Sequence, residues 1–288
     1  MTGKGGVGKT TVAAALGLKA ARAGKRTIVC EVAEQERLAS LFGEKADGYH
    51  ERELGDGLFG ISIDPERAKK EWLEYQLRSG TLAGLLGGSR IFQYLTAAAP
   101  GLTELVTIGK VWELAQLQRK TPKAAPYDLV IVDAPATGHG IAMLRAPQTF
   151  SEVARVGPIH RQAGYIHQFL ANPASTGVVT VALPEEMPVN ETLDLGGRLK
   201  DEMGMAIDRI VVNEMLPERF SAAEAEKLES AGDSPAVRAA LTEYRRARAQ
   251  RSQLRRLRRA SDAPVATLPF LFVAEFGRDQ LEILADKL

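Results

Sequence analysis

The sequence predicts an α/β fold: a doubly wound, mostly parallel sheet with an inserted helical subdomain. Three observations predict it. Short β-branched runs alternate with longer helical stretches. The strand runs are nearly continuously apolar, as strands covered by helices on both faces are. Between Asp64 and Pro126 lie about sixty residues without a convincing strand, far more than an ordinary crossover uses.

In chain order, a glycine-rich loop opens the first helix, Thr10–Ala23, and the first strand, Thr27–Val32, follows. Strand Leu58–Ile63 precedes helix Pro65–Arg78. Helix Leu102–Arg119 has Leu102, Leu105, Val106 and Gly109 on one face, the spacing of a helix packing on a body. Strands Leu129–Asp133 and Val178–Leu183, helix Val189–Glu202 and strand Arg209–Asn213 come next. A helical stretch over Ser221–Ala260, broken near Gly232 and Pro235, leads to the last strand, Pro264–Leu268. Residues 1–288 read as one domain, with 64–126 the inserted helical subdomain and 218–262 a basic C-terminal helical segment.

Composition removes several classes. Of 288 residues 45% are apolar and 25% charged, which excludes disorder and fibrous repeats. Lys plus Arg number 37 against 36 acids, so no global charge favours nucleic acid or membrane. A single cysteine, Cys30, allows no internal disulfide and no cysteine-built zinc or iron–sulfur cage. No apolar run approaches the ~18 residues of a membrane span, and no charged-then-apolar leader precedes the first loop. The expectation is a soluble, cytoplasmic protein.

Residues 3–11 read GKGGVGKTT and fit the phosphate loop G-x-x-x-x-G-K-[ST]. Gly3, Gly5, Gly6 and Gly8 let successive backbone N–H groups, with those of Lys4 and Val7, turn toward one anion at a helix start. Lys9 would reach the β- and γ-phosphates, the Thr10 hydroxyl would ligate Mg²⁺, and Thr11 would sit near the α-phosphate. This is the signature of a P-loop NTPase. Only Met1 and Thr2 precede Gly3, whereas a strand needs about 5–6 residues. A short apolar, β-rich run just upstream is therefore expected to complete the central strand, with a gap in the sheet as the alternative.

An apolar strand ending in Asp133 has the Walker B form, whose carboxylate holds the Mg²⁺ shell. Lys4, directly after Gly3, resembles the second lysine of the deviant phosphate loop in the signal-recognition, MinD and BioD class. The sequence APATGH after Asp133 resembles the switch of the arsenite-pump ATPases and the ATPases that target tail-anchored membrane proteins. LFGISIDPERA, APGLTEL, ALPEEMPVNETLDL, IVVNEMLP and TLPFLFVAE fall in the order of that ArsA-type, anion-transporting family, over nearly the whole chain.

The resemblance implies an ATP- and Mg²⁺-dependent dimeric ATPase. In it Lys4 reaches across the interface to the partner's nucleotide, and Asn213 reads the adenine edge. Pro269 opens a loop to Phe272 packed beside the base, and Asp133, Thr137, Gly138 and His139 form switch II. The partner would be an identical subunit or a paralogous ATPase, and nucleotide-driven opening and closing would act on a protein client. No nucleic acid and no integral membrane segment are expected.

The pattern departs from the family in three places. The first switch, S-T-D-P-A-H, is absent: the strand continues as CEVAEQERLASLFG. Glu31 or Glu34 would have to orient the attacking water, and a misplacement near 1 Å costs ~10²-fold in rate. The cysteines that bind arsenite or clamp zinc are missing too, so a bacterial member without either, and with Cys30 as a core thiol, is expected. The segment Asp64–Gln118 is rich in Leu and aromatic residues, Trp72, Leu77, Leu82, Leu86, Phe92 and Trp112 among them, but lacks methionine. An ordinary helical core and an exposed client groove both remain open for it. Arg238–Arg259 holds nine arginines against one acid, Glu243, at a spacing that also packs one helix face; a solvated or dimer-facing helix is expected. Two alternative functions stand beside the ATPase: a slow or non-hydrolysing regulatory subunit of a heterodimer, and a MinD/ParA-like positioning ATPase.

Overall fold

The computed structural model describes all residues except 33–35, 46–47, 79–100, 122 and 155. Its strands are β1 (Thr27–Glu31), β2 (Arg52–Gly55), β3 (Leu58–Ser62), β4 (Leu129–Asp133), β5 (Val179–Ala182), β6 (Arg209–Met215) and β7 (Val265–Pro269). They form two sheets in the orders β2-β3-β1-β4 and β5-β6-β7, parallel except for β2. Residues 1–2 join the two. The Ala134 N–H donates to the Met1 carbonyl at 3.0 Å, and Thr2 exchanges bonds of 2.9 and 2.8 Å with Val179 and Val181. The phosphate loop thus springs from the position between β4 and β5.

All six expected strands are present, and β2 is the addition. It pairs with β3 through a two-residue turn in which Asp56 and Gly57 both have positive φ, 57° and 78°. This is the backbone a tight hairpin with right-handed strand twist requires.

The described helices are α1 (Lys9–Arg22), α2 (Arg37–Leu41), α3 (Pro65–Arg78), α4 (Leu102–Leu114), α5 (Thr137–Ala154), α6 (Pro158–Ala171), α7 (Glu186–Met203), α8 (Ala222–Ser230), α9 (Pro235–Ala260) and α10 (Arg278–Ala285). β1 is buried along its whole length, between helix layers. On one face α1 packs with Val12, Ala13, Ala14, Leu18 and Ala21, joined by Leu281 and Leu284 of α10. On the other lie α4 and α6, with Leu105, Ile108, Ile166 and Leu170. Burying one such side chain stabilises by about 1.5–3 kcal/mol.

Helix α4 stops at Leu114 instead of reaching Arg119. The chain turns back so that the Arg119 guanidinium meets Glu113 at 3.1 Å and Glu51 at 2.6 Å, and the Lys120 N–H donates to Glu113. Of the apolar residues read in the inserted segment, Leu82, Leu86 and Phe92, like the side chain of Leu77, lie outside the described residues. On α4 the expected face is buried, with Leu102, Leu105 and Val106 each at most 5% exposed.

The basic segment forms α8 and α9. Gly232, at φ 95°, follows Ala231, the C-cap of α8, and Ser234 caps α9 by accepting from the Val237 N–H at 3.2 Å, with Pro235 in the first turn. Leu241, Ala247, Leu254 and Leu257 are buried while Arg246, Arg248, Arg255, Arg258 and Arg259 are exposed, so one face packs and the other is solvated. Among the described residues no helix is long and apolar enough to cross a membrane.

Candidate functional site

The parallel strands end on one side of the sheet, and there the loop of residues 3–8 meets the ends of β1 and β4. Gly3 is forced by close approach. Its φ is 147°, and a Cβ there would lie 2.2 Å from the Val181 carbonyl oxygen. Gly8 begins α1 in the left-handed region, φ 87°, and a Cβ would lie 2.4 Å from Asn213 Nδ2. Val7 is 1% exposed and pins the loop to the core. Only glycine fits these two contacts and angles.

The loop borders a cleft of about 510 Å³ lined by Gly5, Gly6, Gly8, Lys9, Thr10 and Thr11 from one side and by Glu31, Asp133 and Pro135 from the other. The Thr10 hydroxyl donates to Asp133 Oδ2 at 2.5 Å. The second carboxylate oxygen, Oδ1, is buried and has no hydrogen-bond partner among the described residues. A hydroxyl beside an orphaned carboxylate oxygen is a hard-oxygen donor set suited to Mg²⁺ and its water shell. Burial raises the Asp133 pKa, opposed by the Thr10 bond and the Lys9 charge. Lys9 is lowered by burial, opposed by Asp133. Its ammonium folds back onto the loop, donating to the carbonyls of Gly3 at 3.3 Å and Lys4 at 3.0 Å.

Register places Glu31 beside Asp133 across β1 and β4. Glu31 is 2% exposed, and its two oxygens accept from the N–H groups of Arg37 at 3.0 Å and Leu38 at 3.2 Å. Its side chain therefore anchors the start of α2. Burial raises its pKa, with the two amide bonds opposing. Glu34 lies outside the described residues.

Asn213 is 4% exposed under the phosphate loop, and its Nδ2 donates to the Val7 carbonyl at 3.1 Å. Pro269 ends β7 in register with Met215, and the Phe270 N–H donates to the Met215 carbonyl. Neither Asn213 nor Pro269 borders the cleft. Thr137, Gly138 and His139 form the first turn of α5. His139 faces a neighbouring cavity of about 840 Å³ that shares Val32 and Pro135 with the cleft. Lys4 also stands off the cleft, its ammonium 2.8 Å from Glu191 of α7.

Two charged residues of the cleft carry no expectation from the sequence, Arg37 and Glu214. Arg37 follows the strand end where a first switch would stand, and that position was its only signal. Glu214 directly follows Asn213 and has a positive φ of 60°, rare for a side chain with a Cβ; burial, then the charge of Glu185, raises its pKa.

Comparison with known proteins finds a matching family and relatives. The anion-transporting ATPase family matches residues 1–165 and 158–235. The ATPase BagA of Mycobacterium tuberculosis is 32% identical over 247 residues, 84% of this chain and 72% of its own. The ATPase GET3 of Candida glabrata is 29% identical over 257 residues, 76% and 72% respectively. The ATPase GET3C of Arabidopsis thaliana is 24% identical over 266 residues, 76% and 67%. With the phosphate loop, the parallel sheet and these matches together, the chain belongs to the anion-transporting ATPase family of P-loop NTPases.

Proposed function

We propose that this chain is a Mg²⁺-dependent ATP hydrolase that works as a nucleotide-closed dimer and acts on a protein client in the cytoplasm. The observation that carries the reading is the Thr10–Asp133 bond at 2.5 Å with Asp133 Oδ1 left without a partner, beneath the glycine loop. Bound Mg²⁺ would be held through Thr10 and Asp133, and it supplies charge neutralisation for the transferring phosphoryl group. The amides of residues 4–8 cradle the β-phosphate. Lys9 exchanges the Gly3 and Lys4 carbonyls for the β- and γ-phosphates, and Thr11 meets the α-phosphate. Although neither borders the cleft in this structure, Asn213 and Pro269 would take the base side, the Asn213 carbonyl accepting from adenine while its amide props Val7. Thr137, Gly138 and His139 transmit the γ-phosphate state into α5. Lys4 completes the partner subunit's site, whether that subunit is a second copy or a paralogue. No zinc and no iron–sulfur cluster belong to this reading.

A second reading, a slow or non-hydrolysing nucleotide-binding subunit, is favoured by Glu31. Both its oxygens are engaged by α2 amides, so the carboxylate is committed to holding α2 rather than to orienting water. Calorimetry with a non-hydrolysable ATP analogue, together with single-turnover hydrolysis, separates the two. In Lys9→Ala the loss of a charge-assisted phosphate contact should weaken binding by about 1.5–3 kcal/mol, roughly ten- to a hundred-fold. Unchanged affinity in that variant would remove nucleotide binding at this loop. Tight binding with no single-turnover product in the wild type would select the second reading.

A further inference from the structure

We infer that Glu191 is a positioning residue for Lys4, a counter-ion that keeps this lysine on its own subunit until the dimer closes. The inference rests on the dimeric reading above. Lys4 Nζ lies 2.8 Å from Glu191 Oε1, between residues 187 apart in sequence. Both side chains are about one-third exposed, 31% and 34%, so the pair is accessible and can be exchanged.

Both ends of the pair are rigid at the backbone. Lys4 follows Gly3, which is pressed against the Val181 carbonyl, and Thr2, which is bonded into β5. Glu191 sits on α7 between Val189, 0% exposed, and Thr192, 3% exposed, whose hydroxyl is bonded to the Pro188 carbonyl at 2.8 Å. The moving parts are therefore the two exposed side chains, not the backbones that carry them. Gly5, Gly6, Gly8 and Lys9 line the cleft and Lys4 does not. Its amine is directed away from its own phosphate site and toward α7. The same α7 turn carries Asn190, whose Oδ1 accepts from Arg256 of α9, so the turn is tied down on its other side.

The consequence is thermodynamic. Each subunit must give up the Lys4–Glu191 pair before the ammonium can meet a partner's phosphate oxygens, and a two-fold dimer breaks two pairs. A pair of this exposure shifts an equilibrium by about 1.5- to 5-fold. Removing the carboxylate should then tighten the nucleotide-dependent dimer by roughly 2- to 25-fold, the square of that factor. Glu191 would set the nucleotide concentration at which closure occurs without touching nucleotide.

Sedimentation equilibrium with Mg²⁺ and a non-hydrolysable ATP analogue tests this on wild type, Glu191→Gln, Glu191→Asp, Lys4→Ala and the Lys4→Ala/Glu191→Gln double variant. The expected result is a tighter dimer for Glu191→Gln, a near wild-type constant for Glu191→Asp, and no added effect of Glu191→Gln once Lys4 is gone. An unchanged or weaker dimer in Glu191→Gln, or the same tightening in the Lys4→Ala background, overturns the inference while leaving the dimeric ATPase intact. A wild type that stays monomeric with saturating analogue overturns the dimeric reading, and the inference with it.

Discussion

Thr10 and Asp133 meet across 123 residues of chain, hydroxyl to carboxylate at 2.5 Å. One belongs to the first turn of α1 and the other ends β4, so the bond closes the phosphate loop onto the sheet.

Asp133→Asn should leave the nucleotide-free protein at least as stable as the wild type at neutral pH. Burial raises the Asp133 pKa, against the Thr10 bond and the Lys9 charge. The native state then holds its proton to a higher pH than the unfolded chain. Ionised Asp133 therefore subtracts stability, increasingly as pH rises from the ordinary carboxylate range through the raised native pKa. The asparagine oxygen still accepts from Thr10 and carries no charge to desolvate. The Mg·ATP increment, about 2.7 kcal/mol at a hundred times Kd, should shrink sharply in the variant. Thermal melts with and without Mg·ATP, over a pH series, read both effects; an apo variant that melts well below the wild type would contradict the account.

Glu31→Gln separates anchoring from catalysis. If the carboxylate holds α2, losing one of its two amide bonds costs about 1–3 kcal/mol of stability, and single-turnover rate falls less than ten-fold. A water-orienting role predicts the reverse, a loss near 10²-fold with stability kept. Denaturant unfolding and quench-flow on the same preparation decide between them. The anchoring outcome is expected, since both oxygens are engaged.

Much of this site is legible in the sequence because its parts are local. GKGGVGKTT states the loop by spacing alone, and Asp133 ends an apolar run that can only be a strand. The Asp56-Gly57 turn was equally legible, a two-residue hairpin signal that adds β2, and it escapes a reading that looks only for apolar runs. Helix α5 is obscured because Gly138 and Gly140 weaken its first turn and Pro147 sits in its interior. What sequence cannot show is long-range pairing. Lys4 with Glu191, and Glu31 with the first amides of α2, depend on where the sheet edges fall. Charged residues such as Glu113 and Arg119 look solvated until the fold buries them.

Cys30 should resist thiol reagents in the native state. It is 0% exposed in β1, between Ile61 of β3 and Val132 of β4. Burial, followed by the Glu51 charge, pushes its thiol far above the usual range, so almost no thiolate forms. Modification then requires opening of the sheet, and a chromogenic disulfide reagent should react only as fast as the protein unfolds. Arsenite, which needs several sulfurs, should not stimulate turnover. Prompt stoichiometric labelling in buffer, or strong arsenite activation, would contradict this placement.

Arg119→Met should be among the most damaging substitutions outside the cleft. The guanidinium is 1% exposed, and it bonds Glu113, 3% exposed, at 3.1 Å and Glu51 at 2.6 Å. Tyr127 donates to the same Glu51 at 2.7 Å, and Lys110 approaches Glu113 at 3.3 Å. The cluster joins α4 to β2 and to the start of β4, so it holds the helical layer against the sheet. Methionine replaces the packing of the arginine stem but leaves Glu113 buried with one cation fewer. Breaking a buried pair from one side costs about 3–5 kcal/mol, because the remaining carboxylate has lost its compensation. Replacing Glu113 by Gln at the same time should recover part of that loss, since the uncompensated charge goes with it. Urea unfolding of the two variants gives both numbers. A single variant within about 1 kcal/mol of wild type would mean that water reaches the cluster and screens it as it does a surface pair.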